Sequence, residues 1–66
     1  MQIIVNGQGQ EVKEGLSILS LLSELGRSAE HVAVEHNGDV IEPETFAALI
    51  LKPEDRLEIV HFVGGG

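Results

Sequence analysis

The strongest periodic signal in this chain lies at Ile18, Leu21, Leu22 and Leu25, which recur at i, i+3, i+4 and i+7 and therefore share one face of a helix. Ser17 stands where an N-cap belongs, and Leu16 before it and Leu21 at the fourth helical position are spaced for a hydrophobic staple. Gly26 suits the left-handed position just past the last turn. A single helix with one leucine-rich face must bury that face against something. The rest of the chain offers mainly short extended segments for the purpose.

Met1 to Val5 is rich in branched residues, and Asn6-Gly7-Gln8-Gly9 can supply the positive φ angles of a hairpin turn, with Gln10 to Lys13 as the returning strand and Gly15 as its break. Val32 to His36 forms a third strand candidate, and Asn37-Gly38 is a two-residue hairpin signal leading to a short strand at Val40 and Ile41. Pro43 begins a helical turn running through Phe46 to Leu49, residues 52–55 form a turn, and Leu57 to Val63 is the last strand. The order is ββαβββ. A mixed sheet of four to five strands packed on one helix is the two-layer α+β arrangement that so short a chain can close.

One helix covers one side of such a sheet. Alternation turns Ile3, Val5, Leu57 and Ile59 toward the helix and leaves Ile4, Val60 and Phe62 on the other side. That apolar set either docks a partner or is covered by a loop.

With 66 residues the chain is one domain, residues 1–63, followed by a flexible glycine tail, residues 64–66. Its size leaves little room for an enclosed active site. The absence of cysteine excludes a disulfide framework, a thiolate metal site and a cysteine nucleophile. A net charge of −7, from 11 acidic and 4 basic residues, argues against a nucleic-acid partner. With no leader-like or membrane-spanning segment, a cytoplasmic protein that is monomeric when free is expected.

Conventional catalytic groupings find little support. His31, His36 and His61 match no metal-ligand spacing, although His36 and His61 would be neighbours if their strands pair; no metal is expected. The carboxylates are too many to be read as acid–base pairs without a pocket. Ser17, Ser20, Ser23 and Ser28 suit caps, helix surface and turns, and Gly7-Gln8-Gly9 lacks the lysine and the following helix of a phosphate loop. The tail remains. Gly64, Gly65 and Gly66 put a terminal carboxylate on a segment without side chains, able to thread a narrow channel in another protein; the alternative is a frayed end. With a pKa of roughly 3.3 to 3.7, that carboxylate is ionised at neutral pH and needs a separate enzyme to activate it.

Taken in order, the opening Met1-Gln2-Ile3-Ile4-Val5-Asn6, the leucine-rich helix after Ser17, Val32-Ala33-Val34 leading to Asn37-Gly38, the Pro43 to Phe46 turn, Pro53-Glu54-Asp55 and the terminal Gly65-Gly66 resemble the ThiS family of ubiquitin-like β-grasp sulfur carriers, relatives of MoaD. The resemblance implies a β-grasp fold and a carrier, not an enzyme. In such a carrier Gly66 is adenylated by a ThiF-type enzyme that uses ATP, receives sulfur from a donor protein as a thiocarboxylate, and passes it to a ThiG-type thiazole synthase. It binds no cofactor of its own. By position, Gly64 and Gly65 form the tail, and Ile4, Val60 and Phe62 fall where related carriers present apolar sheet surface to partners. The chain departs from the family's pattern at Pro43-Glu44-Thr45-Phe46, where a basic residue and a tryptophan are common, and at Gly64. A MoaD-like sulfur carrier for molybdopterin or another metabolite and a ubiquitin-like protein modifier are the alternatives.

Overall fold

The computed structural model describes residues 1–62. Five strands, β1 (Gln2–Val5), β2 (Gln8–Glu11), β3 (Val32–His36), β4 (Asp39–Ile41) and β5 (Arg56–His61), form one sheet in the order β2-β1-β5-β3-β4. β1 runs parallel to β5, and every other neighbouring pair is antiparallel. The single α-helix, α1, spans Ile18–Glu24. This is the expected α+β order, with β5 at the centre of the sheet.

Both hairpins turn on an asparagine and a glycine. Asn6 and Gly7 have φ of 50° and 80°, and Asn37 and Gly38 have 51° and 91°, the two successive positive angles of a type I′ turn. The first hairpin is tighter than the sequence suggests. β2 starts at Gln8, directly opposite Val5, so the returning strand begins two residues before Gln10 and ends at Glu11. The right-handed twist of the strands favours the two-residue loop over a longer one.

The N-terminus of α1 is closed by three acceptors. Ile18 N–H donates to the Leu49 carbonyl, Leu19 N–H to the Phe46 carbonyl, and Ser20 N–H to Ser17 Oγ at 3.1 Å. The segment after Pro43 thus serves as a lid on the first turn, and Phe46 enters the core at 1% exposure. At the other end Gly26, at φ 72°, donates to Ser23 O while Arg27 N–H returns to Leu22 O, the paired bonds of a Schellman motif. A further helical turn at Ala29–His31, capped by Ser28 Oγ, leads into β3.

Ile3, Val5, Leu57 and Ile59 are buried with Ile18, Leu21 and Leu22, as alternation requires, and Leu16, Val32, Val34, Phe46 and Leu51 complete the core. Leu25 packs at its margin. β5 ends at His61, although Phe62 N–H still donates to His31 O. Val63, assigned to the last strand from sequence, and the glycine tail at residues 64–66 lie outside the described residues.

Candidate functional site

β5 leads directly to the tail, so its anchoring decides how the chain presents that end. The anchors are two asparagines. Asn6 Nδ2 donates to the Ile59 carbonyl at 3.1 Å while Ile59 N–H donates to Asn6 Oδ1 at 2.7 Å, so one side-chain amide extends the β1 ladder past the turn. On the opposite side, Arg56 N–H donates to Asn37 Oδ1 at 2.8 Å and Asn37 N–H to the Arg56 carbonyl at 2.8 Å. Each hairpin turn is therefore tied through its asparagine to the central strand.

Asp55 holds the start of β5. It is buried, at 8% exposure, yet both carboxylate oxygens are occupied: His36 Nε2 lies 2.8 Å from Oδ2, Lys52 N–H donates to Oδ2 at 2.9 Å, and Asn37 Nδ2 donates to Oδ1 at 3.1 Å. Burial alone pushes the carboxyl up. The hydrogen bonds from His36, Lys52 and Asn37, with the charge of His36, outweigh it and hold Asp55 below its ordinary value. The sequence reads Asp55 as a turn residue and His36 as a ligand candidate; their union emerges only from the β3–β5 pairing.

That pairing also separates the histidines. β3 and β5 are neighbours, but their register sets His36 opposite Leu57 and His61 opposite Val32, four positions further along β5. The expected proximity of His36 and His61 is therefore corrected, because an antiparallel register carries them to opposite ends of the shared ladder. Among the described residues, no three histidines or carboxylates gather closely enough to hold a metal ion. Nor, among them, is any helix long and apolar enough to cross a membrane.

On the side of the sheet away from α1, Val60 is 60% exposed and Phe62 46% exposed, and Ala33 stands beside Val60. Ile4 shares this face but is only partly exposed and stands beside Arg56, four positions back along β5 from Val60. At about 3.3 Å per residue that is about 13 Å, so the three predicted residues form an apolar end and a separate apolar flank. Beside Ile4, at the end of this face where the two hairpins turn, is a shallow hollow of about 350 Å³ lined by Ile4, Gly7, Glu35, Asn37, Arg56 and Glu58 among others. Glu35 and Glu58, directly opposed in the β3–β5 ladder, are outward residues that the sequence reading passed over. Alternation about the inward Val34 and Ile59 is the signal that turns them outward; only the register sets them face to face. Gly64, Gly65 and Gly66 lie outside the described residues.

A model described as the ThiS family matches residues 3–66. Over its full length the chain is 43% identical to a crystal structure of the thiamine biosynthesis protein ThiS from Geobacter metallireducens, covering all of both chains with a TM-score of 0.85. A solution structure of a thiamine biosynthesis protein from the same organism gives 43% identity and a TM-score of 0.81, covering all of this chain and 88% of the other. Among curated proteins, a thiazole synthase of Magnetococcus marinus is 41% identical over the whole chain, which spans 20% of that protein's length. An uncharacterized protein, ycf40, of Pyropia yezoensis is 39% identical, with 93% of its length covered. With a family match over nearly all its residues and the same fold in its relatives, the chain belongs to the ThiS family.

Proposed function

We propose that this chain is a sulfur carrier for thiazole formation in thiamin biosynthesis, a co-substrate and not an enzyme, with Gly66 as its reactive residue. The observation that carries this is the family match, which extends from Ile3 through the final Gly66 and so includes the tail.

The chemistry follows from the state of the carboxylate. Ionised at neutral pH, it resists nucleophiles. A ThiF-type adenylyltransferase would join it to the α-phosphorus of ATP, releasing pyrophosphate. A persulfide on a donor protein then attacks the acyl carbon, and AMP departs with one of the former carboxylate oxygens, leaving an acyl disulfide. A thiol attacks the donor-side sulfur and breaks the S–S bond, so that the donor leaves in a disulfide and Gly66 keeps a thiocarboxylate, whose sulfur is the better nucleophile. A ThiG-type thiazole synthase is the acceptor, and the thiazole synthase of Magnetococcus marinus, with a segment like this whole chain inside a longer protein, supports that pairing.

The fold suits this division of work. β5 is fixed on both sides by Asn6 and Asn37, and the four residues beyond Phe62 can span at most about 14 Å. A partner must therefore approach closely. Val60 and Phe62, exposed beside the base of the tail, supply apolar surface for such an approach, with Ile4 on the same face.

Incubation with the cognate adenylyltransferase, ATP and a sulfur source is expected to exchange one oxygen for sulfur at Gly66, read by intact mass. Deleting Gly66 is expected to abolish the exchange while leaving the circular dichroism spectrum unchanged. No mass change in the full chain would sink the proposal, and relief of a thiazole auxotroph by the gene tests the pathway.

A further inference from the structure

We infer that Asn6-Gly7 is a site of spontaneous deamidation, a covalent modification that frees the tail-bearing end of β5 from β1, while the same dipeptide at Asn37-Gly38 is protected by its surroundings. The inference goes beyond the carrier reading and does not rest on it. Asparagine is a labile side chain, and a following glycine leaves the attacking nitrogen unhindered. Base removes the Gly7 amide proton, and the nitrogen attacks Asn6 Cγ. A new C–N bond closes a five-membered imide, the Cγ–Nδ2 bond breaks, and ammonia leaves with a proton from water. Water then opens the ring and returns a proton to the nitrogen. Opening at Cγ gives aspartate, and opening at the backbone carbonyl gives isoaspartate, in which the chain runs through the side chain.

The first turn is open to this reaction. Asn6 and Gly7 are both exposed, nothing lies within 4 Å of where a Gly7 Cβ would stand, and Gly7 N–H has no acceptor among the described residues. What restrains Asn6 is its pair of neutral hydrogen bonds with Ile59, which turn Cγ toward β5. Both must break before the ring can close, which slows the reaction about thirtyfold relative to a free turn.

The second turn is held harder. Asn37 Oδ1 accepts from Arg56 N–H, as Asn6 Oδ1 does from Ile59, but Asn37 Nδ2 donates to the buried carboxylate of Asp55. A hydrogen bond to a charge is about twice as strong as a neutral one, so Asn37 reacts about fivefold more slowly than Asn6.

The consequence falls on the base of the tail. Aspartate at position 6 sets a carboxylate oxygen against the Ile59 carbonyl, and isoaspartate adds a methylene to a two-residue turn that has no room for it. Residues 60–62 are then held from the β3 side alone, through Val32, Ala33 and the Phe62 N–H bond to His31 O.

The test is incubation of the full chain at mildly alkaline pH, folded and in urea, with peptide mass spectrometry to locate each amide-to-acid conversion and isoaspartyl methyltransferase to detect isoaspartate. In the folded chain Asn6 is expected to convert about fivefold faster than Asn37, and in urea the two rates converge, with Asn6 about thirtyfold faster than when folded. The converted chain, separated by its extra negative charge, is expected to melt lower and to exchange amides at residues 59–62 faster while α1 stays protected. Asn37 converting as fast as Asn6 in the folded chain overturns the inference. So does a folded Asn6 that stays intact beyond the expected thirtyfold delay, or a converted chain whose exchange at residues 59–62 matches the parent.

Discussion

Asn6 is the residue whose replacement most directly tests how the central strand is held. Its side chain gives and receives one hydrogen bond with Ile59, at 3.1 and 2.7 Å, and its backbone sits at φ 50°. Asn6→Gly removes both bonds but tolerates the backbone, so its cost is two hydrogen bonds at about 1 kcal/mol each, about 2 kcal/mol. Asn6→Ala loses the same bonds and adds a left-handed penalty of about 1 kcal/mol, for a total of about 3 kcal/mol. Asn6→Asp keeps the acceptor for Ile59 N–H but sets a carboxylate oxygen against the Ile59 carbonyl, and should fall near the glycine variant. These are large effects in a domain whose core supplies roughly 3–5 kcal/mol. Urea unfolding followed by circular dichroism gives all three values, and amide exchange at residues 59–62 should accelerate in Asn6→Gly while the helix amides remain protected. A glycine variant within about 0.5 kcal/mol of the parent, or an alanine variant no worse than glycine, would refute the reasoning.

Two further outcomes are expected. Asp55 has its folded pKa held below the ordinary carboxylate value, so the stability it contributes is present above about pH 4 and is lost as pH falls through the folded value. Asp55→Asn should therefore unfold more easily than the parent at pH 7, by about 1–3 kcal/mol, with the gap closing as both are acidified; a gap constant from neutral to acid pH would count against the network. Phe46, at 1% exposure, should cost about 3–5 kcal/mol on replacement by alanine, enough to leave much of the chain unfolded at room temperature by circular dichroism, whereas Phe46→Leu should remain folded.

The sequence announces the parts of this fold that depend on near neighbours. Ser17, the leucine spacing and Gly26 specify α1 because capping and the helical period act within a few residues. Asn37-Gly38 fixes its hairpin for the same reason. What depends on distant partners is hidden. The parallel pairing of β1 with β5 joins residues more than 50 positions apart, and no local pattern states its register. The closure of the helix N-terminus by Phe46 and Leu49 carbonyls is likewise a meeting of separate segments, so Pro43 to Leu49 reads as a helical turn without revealing what it covers. In Asn6 the local signal conceals a second role: the turn alone explains an asparagine, and its amide bonds to Ile59 add a reason that only the fold displays.

The same division governs the candidate site. Val60 and Phe62 can be placed on the outer face from alternation because Leu57 and Ile59 are inward in the same strand. Their separation from Ile4 cannot, since it follows from the register between β1 and β5. Electrostatics depends even more on register. Glu35 and Glu58 are unremarkable members of an acidic composition until the β3–β5 ladder opposes them, whereas a slip of one position would turn one strand's inward residues outward and abolish the core. Burial of Val34, Leu57 and Ile59 thus enforces the confrontation of the two glutamates. The core tolerates that repulsion without requiring it, since glutamine fits the same outward positions.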